Sequence, residues 1–155
     1  MSDNYGKKFE EKFKRDWVSS VDGGLIVRLY DVTSGYLSVS TISDYICYKY
    51  PNIFFIECKT HKGASIPFSA ISQYDKLLSV CNIPGVRSGV ILWLYEKDKV
   101  LYIPANTLKK VREEGDKSIG LRHLGKYRII EIPSKKLRFF MDSDYSVLLS
   151  LQEGD

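Results

Sequence analysis

Phe9, Phe13 and Trp17 recur at every fourth position of NYGKKFEEKFKRDWVSSV, with mostly charged residues between them. That spacing lays one apolar stripe along a helix and predicts an amphipathic helix over this stretch. Gly23-Gly24 ends it, and LIVRLYD, from Leu25, reads as a strand. VTSGYLSVSTIS is rich in Ser, Thr and Gly and reads as an exposed connection. DYICY is a short β-rich run that opens on Asp44, and KYPN after it has turn chemistry. IFFIECKT is apolar on both faces at its start, which predicts a strand inside a sheet. Gly63 and Pro67 punctuate a loop, and Ser69 or Ser72 is placed to start a helix through SQYDKLLSVC. RSGVILWLYEKDKVLYIP predicts a hairpin that turns at Glu96-Lys97-Asp98-Lys99. Residues 105–114 read as a helix, RIIEI and LRFFM as short strands, and DSDYSVLLSL as a closing helix capped by Asp142 or Ser143. The fold class is α/β in the broad sense (α+β), a mixed central sheet flanked by helices. No repeat, linker or low-complexity tract divides the chain, so one domain over residues 1–155 is expected.

Composition narrows this picture only a little. With 44% hydrophobic and 27% charged residues, the chain can build a core without disulfide staples. The three cysteines, Cys47, Cys58 and Cys81, lack metal-ligand spacing and read as small buried hydrophobes of a reducing compartment. His61 and His123 make no zinc pattern. The start is polar and charged, and no apolar run reaches membrane-spanning length, so a cytoplasmic protein with no membrane partner is expected. A net charge of +4 is a weak pointer to an anionic partner.

The informative anomaly is Glu57-Cys58-Lys59, which puts two charges at the end of the apolar run Ile53-Phe54-Phe55-Ile56. Charged residues seldom end a buried strand unless they are paired or bind an ion. Antiparallel pairing of DYICY with IFFIECK around Tyr50-Pro51 sets Ile46 opposite Phe55, Tyr48 opposite Ile53 and Asp44 opposite Glu57. Side chains alternate along a strand, so Lys59 shares the Glu57 side and Cys58 takes the other. Two opposed carboxylates repel, and a divalent cation relieves them. Mg²⁺ favours one or two protein carboxylates together with water and phosphate oxygens. A solvated strand end bearing a Glu/Lys pair is the competing reading.

Asp44 followed by Glu57-Cys58-Lys59 resembles the D…(D/E)xK core of the PD-(D/E)XK nuclease superfamily. ECKTHKGASIPFSAISQYDKLL resembles the catalytic strand and Gln-bearing helix of RecU-type Holliday junction resolvases, short phage- or prophage-type members in particular. GKKFEEKF resembles their acid-bearing N-terminal helix, and GVILWLYEKDKVLYIP their later strand pair. The resemblance implies a restriction-endonuclease-like fold and a homodimeric DNA endonuclease that nicks four-way junctions in recombination and repair. It implies Mg²⁺ as cofactor, with Mn²⁺ as a substitute. Asp44 and Glu57 would be metal ligands and Lys59 the catalytic lysine, with Glu10 the helix-borne acid and Gln73 the glutamine of the following helix. Thr60 and Lys62 would touch phosphate or DNA.

Two departures bear on selectivity. The family's stalk-like insertion before the catalytic Asp is short here, between Leu29 and Asp44, and Ser40-Thr41 is displaced from Asp44 by Ile42-Ser43. A general or restriction-type nuclease or nickase on the same fold, and a DNA-binding module without catalysis, are the alternatives. Glu10 lies at the edge of the apolar stripe, with Lys14 as a possible surface partner and Glu11 as its rival. Gln73 has the bland alternative of a plain helix-start residue. Arg28 is a candidate for a phosphate contact or for a pair with Asp31. KKFEEKFKR, LKKVR and SKKLR are solvated faces taken singly and phosphate-tracking patches taken together.

Overall fold

The computed structural model describes residues 3–34 and 37–151. Helix α1 (Asp3–Ser20) is followed by β1 (Leu25–Arg28), a small hairpin of β2 (Val32–Ser34) and β3 (Leu37–Val39), and then β4 (Tyr45–Lys49) and β5 (Asn52–His61). Next come β6 (Ser65–Pro67), α2 (Tyr74–Val80), β7 (Val86–Leu94), β8 (Lys99–Pro104) and α3 (Ala105–Glu113). The last elements are β9 (Ser118–Gly120), β10 (Ile130–Glu131), β11 (Ser134–Lys136), β12 (Met141–Ser143) and a 3₁₀ turn, Tyr145–Ser150.

Six strands form the main sheet in the order β1-β4-β5-β7-β8-β10. β5 and β7 are parallel and the other neighbours antiparallel, so the sheet is mixed. β5 lies inside it, as its two apolar faces require. The β4–β5 register sets Ile46 opposite Phe55 and Tyr48 opposite Ile53, as the sequence predicts.

Two cores lie on the two faces. On one, the α1 stripe buries Phe9, Phe13 and Trp17 against Tyr45, Phe54, Trp93 and Tyr145. Trp17 meets Phe54 edge-on at 5.6 Å between ring centroids, and Phe13 meets Tyr145 at 4.8 Å. Each such ring contributes roughly 1.5–3 kcal/mol from burial alone. On the other face, Leu77 of α2 and Leu108 and Val111 of α3 cover Val90, Leu92, Leu101 and Ile103.

The chain's second half departs from several expectations. LRFFM is not a strand: only Met141 pairs, and Leu137 to Phe140 form the tip of the β11–β12 hairpin. DSDYSVLLSL forms a 3₁₀ turn, and its cap is Asp144, which accepts the Ser146 amide at 3.0 Å. α2 begins at Tyr74 with Gln73 at its N-cap, after a 3₁₀ turn at Phe68–Ala70, instead of at Ser69 or Ser72. The Ser/Thr/Gly-rich connection contains β2 and β3, and RIIEI keeps only Ile130–Glu131 as strand.

Candidate active site

The site lies where β4 begins, beside the Glu57–Lys59 stretch of β5. Asp44 precedes β4 directly, and Leu29 donates its amide to the Asp44 carbonyl at 2.8 Å. The Asp44 side chain turns onto the neighbouring strand, where Oδ2 accepts the Cys58 amide at 2.8 Å. Cys58 itself is buried toward α1 with Phe54 and Ile56, and alternation sends Glu57 and Lys59 to the opposite face.

Glu57 is buried, at 2% exposure, with the Asp44 carboxyl beside it. Burial, then the neighbouring Asp44 carboxyl, push its carboxyl far above the ordinary glutamate value, and the nearby Lys59 ammonium offsets only part of this. Two carboxylates so close in a dry place share a proton or take up a cation. Glu10 of α1 approaches from the other side. Its carboxyl is raised by burial first and by Asp44 second, against the opposing pull of Arg28 and Lys59.

Arg28 ties this corner together. Its guanidinium lies 3.0 Å from Glu10 Oε2 and 3.4 Å from Asp44 Oδ1, and it faces the Tyr45 ring at 5.1 Å. Burial works against its charge, but Glu10 and Asp44 more than offset that and hold it protonated. The expected Arg28–Asp31 pair gives way to these contacts, because Asp31 accepts the Thr41 amide at 2.8 Å instead. Arg28 stands opposite Tyr45 in the β1–β4 register, which brings it beside Asp44. The Tyr45 hydroxyl donates to the Glu10 carbonyl at 2.9 Å, pinning α1 to β4 at this point.

The remaining candidates are more dispersed. Thr60 is half-buried beside α1, where a Cβ on Gly6 would lie 4.0 Å from its Oγ1. Lys62 is exposed. Gln73 is half-buried at the start of α2 and takes a hydrogen bond from Ser72. Glu11, the rival of Glu10, is exposed. A cleft of about 510 Å³ opens beside Glu10 and Arg28, and Lys7, Lys14 and Arg15 line its wall. Among the described residues no group of three or more His, Cys, Asp or Glu side chains forms a ready metal cage.

No family model matches the chain, and comparison with curated proteins finds no similar sequence. Among solved structures, the fold is similar to that of Hjc, a Holliday junction resolvase from the archaeal hyperthermophile Archaeoglobus fulgidus. The TM-score is 0.57 at 17% identity, with 79% of this chain and 93% of the other covered. The likeness is one of fold: a mixed central sheet flanked by helices, of the restriction-endonuclease-like kind.

Proposed function

We propose that this chain is a divalent-metal-dependent DNA endonuclease that cuts four-way junctions with paired nicks and acts as a homodimer. The observation that carries the reading is the Asp44 carboxylate, held on the Cys58 amide beside the buried Glu57, with Lys59 two residues on in the same strand. Its occurrence on a fold similar to that of a Holliday junction resolvase supports the choice of substrate.

The pair fits Mg²⁺ or Mn²⁺. It offers hard oxygen donors whose mutual repulsion a cation relieves, and Mg²⁺ takes its other ligands from water and phosphate. Asp44 and Glu57 would hold the ion, which when bound supplies charge neutralisation at a phosphoryl oxygen and acidifies water. Lys59 brings an ammonium to the Glu57 side, where it offsets negative charge developing on the phosphate. Arg28 keeps Glu10 and Asp44 oriented toward one another. Lys7, Lys14 and Arg15 on the cleft wall supply phosphate attraction along the approach. Thr60 and Lys62, which follow Lys59, are the further DNA contacts of this reading.

A homodimer follows from the substrate. Paired nicks on opposing strands need two sites at a fixed separation, and a twofold assembly provides them. One observation favours a second reading, a general nuclease or nickase on the same fold. Among its described residues, the connection from Leu29 to Asp44 holds the three-residue strands β2 and β3, and a short connection has little reach into a junction centre.

Strand-labelled four-way junctions and linear duplexes of matched sequence, incubated with Mg²⁺, test the reading. Paired nicks on the junction, with much slower cutting of duplex, are the expected result. Equal rates on both move the assignment to the general nuclease. Cleavage by Glu57→Gln at the wild-type rate removes the site.

A further inference from the structure

The β11–β12 hairpin carries an exposed apolar-basic tip that the proposed active site does not use. Phe139 is 64% exposed and Leu137 39% exposed, while Lys135, Lys136 and Arg138 beside them are also open to solvent. The Arg138 guanidinium lies 5.3 Å from the centre of the Phe139 ring. An exposed aromatic is costly to leave in water, and clustered with cations it marks a surface built for a partner.

The base of the hairpin is firmly held. Ser143 donates its amide to the buried Asp16 at 3.1 Å, and Asp142 pairs with Lys12 of α1 at 2.5 Å. Lys136 pairs with Asp98 in the β7–β8 turn at 2.6 Å. Phe140, next to the exposed Phe139, packs on Trp93 with 5.5 Å between ring centroids. The tip is therefore an aromatic presented on a fixed mount.

The mount also fixes where the tip stands. Trp93 pairs with Thr60, three residues beyond Glu57 and hence about 10 Å along the strand. Glu96, in the turn that Lys136 holds, accepts the amide of Gly63 at 2.9 Å, in the loop that follows the same strand. The tip thus stands beyond Glu57 toward the C-terminal end of β5, on the α1 side of the sheet.

We propose that Phe139, with Arg138, is a stacking platform for an unpaired or unstacked DNA base, and that Lys135 and Lys136 attract the phosphates on either side of it. The inference rests on the DNA-cleaving reading and deepens it, since the branch point of a junction is where bases lose a neighbour. An aromatic ring accepts any base face, and a guanidinium adds cation–π attraction. The platform gives affinity for distorted DNA without reading sequence.

The full-length chain, in EDTA to prevent cleavage, is titrated against three probes: a paired duplex, the same duplex with a two-base bulge, and a four-way junction. Phe139→Ala is expected to weaken binding to the bulge and the junction by about tenfold, as loss of one stacked base does, and to leave paired-duplex binding unchanged. Phe139→Trp is expected to restore the lost affinity. Lys135→Glu, which leaves the Lys136–Asp98 pair intact, is expected to weaken all three probes. Equal losses on every probe, or no loss with Phe139→Ala, overturn the platform. Sedimentation in which Phe139→Ala turns a dimer into a monomer also overturns it and assigns the tip to a protein contact. A wild-type chain that binds none of the probes overturns the DNA reading itself and the platform with it.

Discussion

Asp44 accepts a 2.8 Å hydrogen bond from the amide of Cys58, the residue between Glu57 and Lys59. The bond crosses from the start of one strand to the end of the next, and it aims one carboxylate at the other without help from an ion. Asp44→Asn keeps an acceptor for that amide but removes the charge. It is expected to fold as well as the wild type and to lose cleavage by at least about 100-fold, as removal of a single charged stabiliser does. Asp44→Ala leaves the amide unpaired and is expected to cost about 1–3 kcal/mol in urea unfolding. Equal stability of the Ala and Asn variants would show that the bond does not orient the site.

Arg28 supplies the positive charge in the same corner, 3.0 Å from Glu10 and 3.4 Å from Asp44. These side chains are mostly, but not fully, shielded from water, so the pairs are stronger than surface ion pairs and weaker than buried ones. Arg28→Ala is expected to lower stability by about 1–3 kcal/mol, leaving Glu10 and Asp44 to repel. Mg²⁺ is expected to raise the melting temperature of the variant by more than it raises the wild type's. A scan in which Mg²⁺ shifts both proteins equally counts against electrostatic coupling between Arg28 and the carboxylates.

Glu57 makes stability depend on pH in the absence of divalent ions. Its carboxyl is raised by burial and by Asp44, so the folded chain holds this proton more tightly than the unfolded chain does. The resulting stability is complete below the ordinary value of 4.5 and is lost as pH climbs from there through the raised value. Glu10 and Asp16 are raised too, burial being the first cause for each, and contribute with the same sign. Urea unfolding in EDTA is expected to become easier with rising pH, and Glu57→Gln, which has no proton to lose, is expected to flatten that dependence. An unchanged slope in the variant would falsify the assignment of the effect to Glu57.

The β4–β5 pairing was legible because Tyr50-Pro51 and the flanking apolar runs allow few registers, and a one-residue slip would turn Phe54 and Ile56 out of the core. The α1 stripe was legible for the same reason, since Phe9, Phe13 and Trp17 have one way to meet the sheet. Arg28 was not. Its partners come from α1 and from the residue before β4, and they become visible only when β1 is paired with β4. LRFFM misled because four apolar residues and an arginine have strand composition. Met141 and Phe140 spend theirs on the core, while Leu137 and Phe139 stay in solvent. The strands β6 and β9 are three residues each and carry too little periodicity to be read from sequence.

Gly120 closes the pairing of those two short strands, and with it the segment between Lys62 and Gln73. It stands opposite Ser65, and a Cβ there would lie 2.1 Å from the Ala64 carbonyl oxygen and 2.5 Å from the Ser65 Cα. Both obstacles are backbone, so no side chain can swing aside to make room. The Ala64 carbonyl also accepts the Leu121 amide at 2.9 Å, and this bond stretches if the strands part. Gly120→Ala is therefore expected to cost about 1–3 kcal/mol, as overpacking does, and to lower the melting temperature by roughly 2–10 °C at this chain length. The strand that moves is the one leading from Lys62 toward Gln73, whereas Asp44, just before β4, and Glu57 and Lys59 on β5 stay linked by the Cys58 amide bond to Asp44. The proposed function then predicts weaker DNA binding, with a single-turnover rate near wild type once the protein is saturating. A variant as stable as the wild type would show that β6 and β9 are not closely paired in solution. A lost single-turnover rate at full saturation would show that the carboxylate pair depends on this segment.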